Sequence, residues 1–217
     1  MELKIKDPGS ALTHFIAMLA AMAAAAPLLV KAASVPGTMH LKALSVFIVS
    51  MILLYAASTV YHTFDISEHV NKLLRKIDHM MIFILIAGTY TPVCLIVLGN
   101  RSGYRMLSLV WGIAIVGIII NALWINCPKW FSSVIYIAMG WVCVMAIRQI
   151  VAALTPAAFA WLLAGGIIYT IGGVIYALKL PVFNKLHPGF GGHEIFHLFV
   201  MGGSLCHFIM VYGYLLS

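Results

Sequence analysis

His193-Glu194-Ile195-Phe196-His197 is the stretch of this chain best suited to chemistry. Residues four apart lie on one face of an α-helix, so the two imidazoles point together at about the separation one metal ion needs. Neutral imidazole is the commonest metal ligand. A zinc ion held by three protein ligands, with a fourth position for water, is the usual catalytic form. The pattern leaves two matters open: what supplies a third ligand, and what surrounds the ion.

Composition says where such a site would sit. The chain has 217 residues, of which 63% are hydrophobic and 9% charged, against about a quarter charged in soluble domains. Apolar runs cover 12–30, 44–61, 80–98, 106–125, 132–147, 157–178 and 195–216. Most are close to the roughly 20 residues with which a helix crosses a ~30 Å hydrocarbon core. The expectation is an all-α integral membrane bundle of seven transmembrane helices, one domain over residues 1–217. The fifth span is expected to extend past Arg148, whose long side chain can snorkel. The first run is read as a retained span rather than a signal peptide, because it is longer than an h-region and carries Thr13 and His14.

A formal net charge of +7 would suggest nucleic acid in a soluble protein. Here the basic residues fall mostly between apolar runs and read as topology signals and lipid-headgroup contacts, so membrane lipids are the expected partners and nucleic acid is not. With seven spans, eight of the thirteen Lys and Arg residues share a side with the N-terminus. That bias predicts an N-terminus inside and a C-terminus outside; residence in the cell inner (plasma) membrane is a separate expectation. Cys94, Cys127, Cys143 and Cys206 form no C-x-x-C pair and read as free thiols. Gly165, Gly166, Gly172 and Gly173, with Gly202 and Gly203, read as close helix packing through small residues. No signal for an oligomeric state is present.

Ionisable groups in a membrane segment are costly, so each asks for a reason. Glu2 and Asp7 fall in the N-terminal tail, and Asp65 and Glu68 in a polar link. Asp78, at the entrance of the third span, and Glu194 remain. The second span ends Ser58-Thr59-Val60-Tyr61-His62, which sets Ser58 and His62 on one helical face. Taken singly, a serine bonded to its own backbone and a histidine reaching for headgroups are the blander readings. Topology joins them: the second span ends, and the third and seventh begin, at the same membrane face.

Ser58-x-x-x-His62, Asp78 and His193-x-x-x-His197, in that order, resemble the pattern of the progestin and adipoQ receptor family, specifically its bacterial haemolysin III branch. The likeness extends to Asp7-Pro8-Gly9-Ser10-Ala11-Leu12-Thr13-His14, Ile86-Ala87-Gly88-Thr89-Tyr90-Thr91-Pro92, Ala138-Met139-Gly140-Trp141 and Gly202-Gly203-Ser204-Leu205-Cys206-His207-Phe208. It implies a seven-helix fold with zinc near the cytoplasmic face. By the same likeness His62, His193 and His197 would be the metal ligands, Asp78 would hold a zinc-bound water and Ser58 would lie nearby. Related eukaryotic receptors are linked to ceramide hydrolysis, whereas the bacterial branch is named for haemolysis. His14 reads either as a partner of the ligands or as a headgroup contact. His207, about 15 Å along the helix from His197, reads as a structural hydrogen-bonding residue. His40, His69, His79 and His187 receive no chemistry, His79 because it faces about 100° away from Asp78.

Three functions follow. In the first, zinc supports hydrolysis of a ceramide-like lipid amide, with Asp78 as base and Ser58 as donor to the developing oxyanion. In the second, His193-Glu194-x-x-His197 is an intramembrane metalloprotease motif with Glu194 as base, although the metzincin continuation is missing after His197. In the third, a structural zinc pins helices together in a non-enzymatic sensor, a regulator of membrane state or a pore-forming haemolysin.

Overall fold

The computed structural model describes residues 5–124, 129–178 and 191–216. Its helices are α1 (Pro8–Ala33), α2 (Met39–Thr63), α3 (Glu68–Pro92), α4 (Arg101–Leu123), α5 (Lys129–Gly140), α6 (Ile147–Ala153), α7 (Pro156–Leu178) and α8 (Gly192–Tyr214). Seven spans result, α5 and α6 together forming the fifth, Trp130–Ala153. No strand occurs among the described residues. This is the expected all-helical multi-pass architecture, and the fifth span does run past Arg148.

Local chemistry sets several helix ends. Pro8 starts α1, where its missing N–H costs nothing. Ser67 Oγ accepts from Val70 N–H at the head of α3, so that helix begins well before its apolar run and its first turns are polar. Asn100 Oδ1 accepts from Ser102 and Gly103 N–H and starts α4. Before it, α3 passes into a π-helical segment, Val93–Leu98. Gly99 then turns the chain in the left-handed region at φ 54°, which glycine adopts without steric cost.

The bundle is inside-out relative to a soluble one. Large apolar side chains at i and i+4 spacing, such as Leu12, Ile16 and Leu163, Ile167, Ile171, face outward, toward what a bilayer would supply. Tight contacts inside use small residues: a Cβ on Gly165 would lie 2.7 Å from His207 Nε2, and one on Gly203 2.7 Å from Tyr169. Gly165, Gly172 and Gly203 therefore do pack α7 closely against α8, as expected in lipid, where backbone approach substitutes for hydrophobic drive, whereas a Cβ on Gly166 would meet nothing within 4 Å and one on Gly173 would meet Ile137 of α5.

The fifth span is broken. A 3₁₀ segment, Val142–Ala146, separates α5 from α6, and a break frees backbone groups that hydrocarbon cannot satisfy. Tyr90 of α3 serves two of them: its hydroxyl donates to Gly140 O at 2.7 Å and accepts from Cys143 N–H at 2.8 Å. Tyr90→Phe should therefore lower stability by about 1–3 kcal/mol, read as a lower Tm in detergent. An unchanged Tm would show that the break satisfies itself.

Candidate metal centre

The end of the bundle where α1 and α8 begin and α2 ends gathers Ser10, His14, Ser58, His62, Asp78 and His197, all buried polar side chains. His62 sits in the last turn of α2, with His193 and His197 in the first turns of α8. His62 and His197 are each 2% exposed, and His193 is half-buried. One nitrogen from each of the three rings falls within 4.8 Å of the others. His62 Nε2 and His193 Nε2 are 3.1 Å apart. Two nitrogens at tetrahedral positions around zinc, each about 2.05 Å from it, would stand roughly 3.3 Å apart. The donor set thus fits a single metal ion in chemistry and spacing.

Each of two rings is backed on its other nitrogen. His62 Nδ1 lies 2.9 Å from Asp7 Oδ2, and His197 Nδ1 lies 3.4 Å from Thr13 Oγ1. Both contacts favour the proton on Nδ1 and the lone pair on Nε2, the arrangement a ligand needs. His14 stacks face to face on His197, with ring centroids 3.7 Å apart and planes 7° from parallel, and meets Tyr55 edge-on. It is 3% exposed, which decides between the two readings of His14 in favour of contact with the site.

Below the triad lies a cavity of about 170 Å³. Its polar end is lined by His14, Ser58, Asp78, His79, His193 and His197. Leu85, Ile86, Ile137, Ile150, Phe159 and Leu162 carry it on as an apolar channel toward the far end of the bundle. Ser58 Oγ and both ring nitrogens of His14 are buried without a hydrogen-bond partner among the described residues. Buried polar atoms are rarely left so, and these face the cavity. Asp78 is 7% exposed.

Several expectations need correction. His79 does not turn away from Asp78: its Nδ1 is 3.3 Å from Asp78 Oδ2, while its Nε2 meets Tyr176 Oη at 3.2 Å. Helical phase separated the two Cα–Cβ vectors but not the reach of the ring. Asp7 is not a free tail residue. It precedes the first turn of α1, and its N–H donates to His62 O at 2.9 Å. His207 is buried with its ring stacked on Tyr169, and Nδ1 is the nitrogen that has no hydrogen-bond partner among the described residues. Glu194 has both oxygens engaged: Oε1 accepts from Ser10 Oγ and Oε2 from Gly191 N–H, each at 2.7 Å. The latter is the backward half of a capping box.

Asp7 and Ser10, at the start of α1, were therefore the part of the site that sequence reasoning missed; of that stretch only His14 was weighed as a partner of the ligands. A signal for them existed: Asp7, Ser10 and His14 recur at i, i+3 and i+7, a single helical face, at the bundle end already assigned to His62 and His193. His187, Lys179, Lys185 and Cys127 lie outside the described residues, while Cys94, Cys143 and Cys206 are free thiols.

Comparison with known proteins agrees with this architecture. A family model described as haemolysin-III related matches residues 3–208. The hemolysin-3 homolog of Bacillus subtilis (strain 168) is 35% identical over 209 residues, covering 96% of this chain and 94% of the relative. Hemolysin-3 of Bacillus cereus is 37% identical over 211 residues, 97% of this chain and 92% of the relative. The adiponectin receptor protein of Drosophila melanogaster is 25% identical over 182 residues, 75% of this chain and 40% of that protein. A multi-pass helical bundle with a histidine triad at one end, matched along nearly its whole length, places this chain in the haemolysin-III-related family.

Proposed function

We propose that this protein is a zinc-dependent hydrolase of lipid amides of the ceramide class. The observation that carries the reading is the placement of three imidazoles, two buried and one half-buried, at the head of a largely apolar cavity that also presents Ser58 and Asp78. A zinc ion on three imidazoles would supply a Lewis acid that polarises a carbonyl and acidifies water in its open position.

The chain's own groups then divide the remaining work. His62, His193 and His197 would hold the metal through ring nitrogens, as the family resemblance implies. Asp78 takes a proton from the attacking water at a carboxylate oxygen and returns it to the departing amine nitrogen, with His79 Nδ1 3.3 Å from its Oδ2. Ser58 Oγ, lacking another partner among the described residues, donates to the oxygen that gains charge. The apolar length of the cavity excludes water and seats an acyl chain, which fixes the amide at its polar end. Orientation with the N-terminus inside belongs to the same proposal and rests on the Lys and Arg distribution; residence in the cell's inner membrane is proposed with it.

The protease reading loses its base, since Glu194 would have to give up both Ser10 and Gly191 to act. A non-enzymatic zinc site explains the triad but gives no account of Ser58 and His14 facing an apolar cavity without partners.

Purified protein should carry about one zinc per chain and release fatty acid from ceramide-like lipids in vesicles, with His62→Ala and His193→Ala losing both metal and turnover. Asp78→Asn should keep the metal and lower kcat by about 10²–10⁴-fold. Absence of turnover above the His62→Ala control across a lipid panel, with zinc bound, would move the protein to the non-enzymatic class. Glu194→Gln separates the two enzymatic readings: retained turnover supports Asp78 as the base, and abolished turnover with metal retained supports the protease motif.

A further inference from the structure

We infer that Asp7 is a positioning residue for the metal centre, a carboxylate that selects the ligating tautomer of His62 from outside the bundle. The inference rests on the metal-site reading above and adds to it a residue from a helix that supplies no ligand.

The first observation is a diverted cap. Asp7 holds the N-cap position of α1, where an aspartate ordinarily accepts a hydrogen bond from the second or third N–H of its own helix. It makes no such bond. Its Oδ2 instead lies 2.9 Å from His62 Nδ1 on another helix. A carboxylate is an acceptor only, so the proton of that contact belongs to Nδ1. The lone pair is thereby left on Nε2, the nitrogen that faces His193 Nε2 at 3.1 Å. Histidine ligands commonly hand their second nitrogen to a carboxylate in this way, which orients the ring and raises its basicity.

The second observation is that the contact is built into the backbone. Asp7 N–H donates to His62 O at 2.9 Å and Lys6 N–H to Thr63 O at 3.3 Å, and Lys6 Nζ lies 3.8 Å over the Tyr61 ring. Residues 6 and 7 are thus laid along the end of α2, and the carboxylate has a fixed point of attachment. Its exposure matters as well. The Asp7 side chain is 43% exposed while that of His62 is 2% exposed, so the negative charge stays hydrated and only the imidazole is buried. The desolvation that penalises a fully buried ion pair is largely avoided.

The test is metal affinity, read apart from turnover. Chelator-stripped protein is titrated with cobalt(II), followed by its tetrahedral absorption bands, and with zinc(II) in competition with a chromogenic chelator. Wild type is compared with Asp7→Ala, Asp7→Asn, Asp7→Glu and His62→Ala. Asparagine caps a helix as well as aspartate does, so Asp7→Asn preserves any role in starting α1. Asp7→Ala should weaken binding by about 10–100-fold, Asp7→Asn should fall between it and wild type, and Asp7→Glu should recover most of the loss. The cobalt bands of Asp7→Ala should broaden as His62 loses its orientation. Equal affinity and equal bands in wild type and Asp7→Ala would overturn the inference and leave the metal centre standing. A wild type that binds no more metal than His62→Ala would overturn the centre itself. A bare fastening of α1 to α2 would lower the Tm of the stripped protein and leave affinity untouched, and that result also counts against Asp7 as a positioning residue.

Discussion

Imidazoles crowded together inside an apolar bundle have few ways to satisfy their ring nitrogens. Each neutral ring offers one donor and one acceptor, and hydrocarbon offers neither. At the head of this bundle His62 and His193 meet Nε2 to Nε2, so one of them must donate to the other or both must turn lone pairs toward a cation. Everything nearby is compatible with the second arrangement. Asp7 and Thr13 stand at the Nδ1 sides of His62 and His197, and the flat face of His197 is covered by His14. The local order of α1, the end of α2 and the start of α8 can be understood as the means of keeping three lone pairs convergent.

The rest of the fold provides a dry space beneath that cluster. Small residues let α7 lie close against α8, with Gly165 under His207 and Gly203 under Tyr169. Tyr169 and Tyr55 both reach Ser204 Oγ, at 2.8 and 2.7 Å. That shared hydroxyl ties α2, α7 and α8 together deep in the bundle without an unpaired phenol. On the other side, the break between α5 and α6 lines the cavity with Gly140, Trp141 and Cys143. Irregular backbone at membrane depth is tolerated where it is buried in protein or borders a cavity, and Tyr90 supplies the partners that make it so.

Seven spans were legible in the sequence because length and hydropathy are properties of single segments. His193 and His197 were legible because helical periodicity alone brings them together; counting span ends put His62 on the same side, and the resemblance to the haemolysin III branch named it as their companion. What escaped was anything that depended on two elements touching. Asp7 looks like tail when hydropathy is the guide, since only the approach of α1 to α2 gives it a buried partner. His79 looked averted from Asp78 when judged by helical phase, which fixes where a side chain starts and not where a long ring ends. Glu194 matched a catalytic motif in spelling, yet the neighbouring Ser10 and its own helix start claim both oxygens. The 3₁₀ break at Val142–Ala146 carries no proline to announce it, and its stabilising group, Tyr90, lies on another span.

The most direct measurement of the central claim is zinc K-edge X-ray absorption on the protein purified without added chelator. Convergence of His62, His193 and His197 on one ion predicts a first shell of about three imidazole nitrogens and one further oxygen or nitrogen donor at roughly 2.0–2.1 Å, with no sulfur near 2.3 Å. A shell containing sulfur, a shell with two or fewer imidazoles, or one unaltered by His62→Ala would contradict the account.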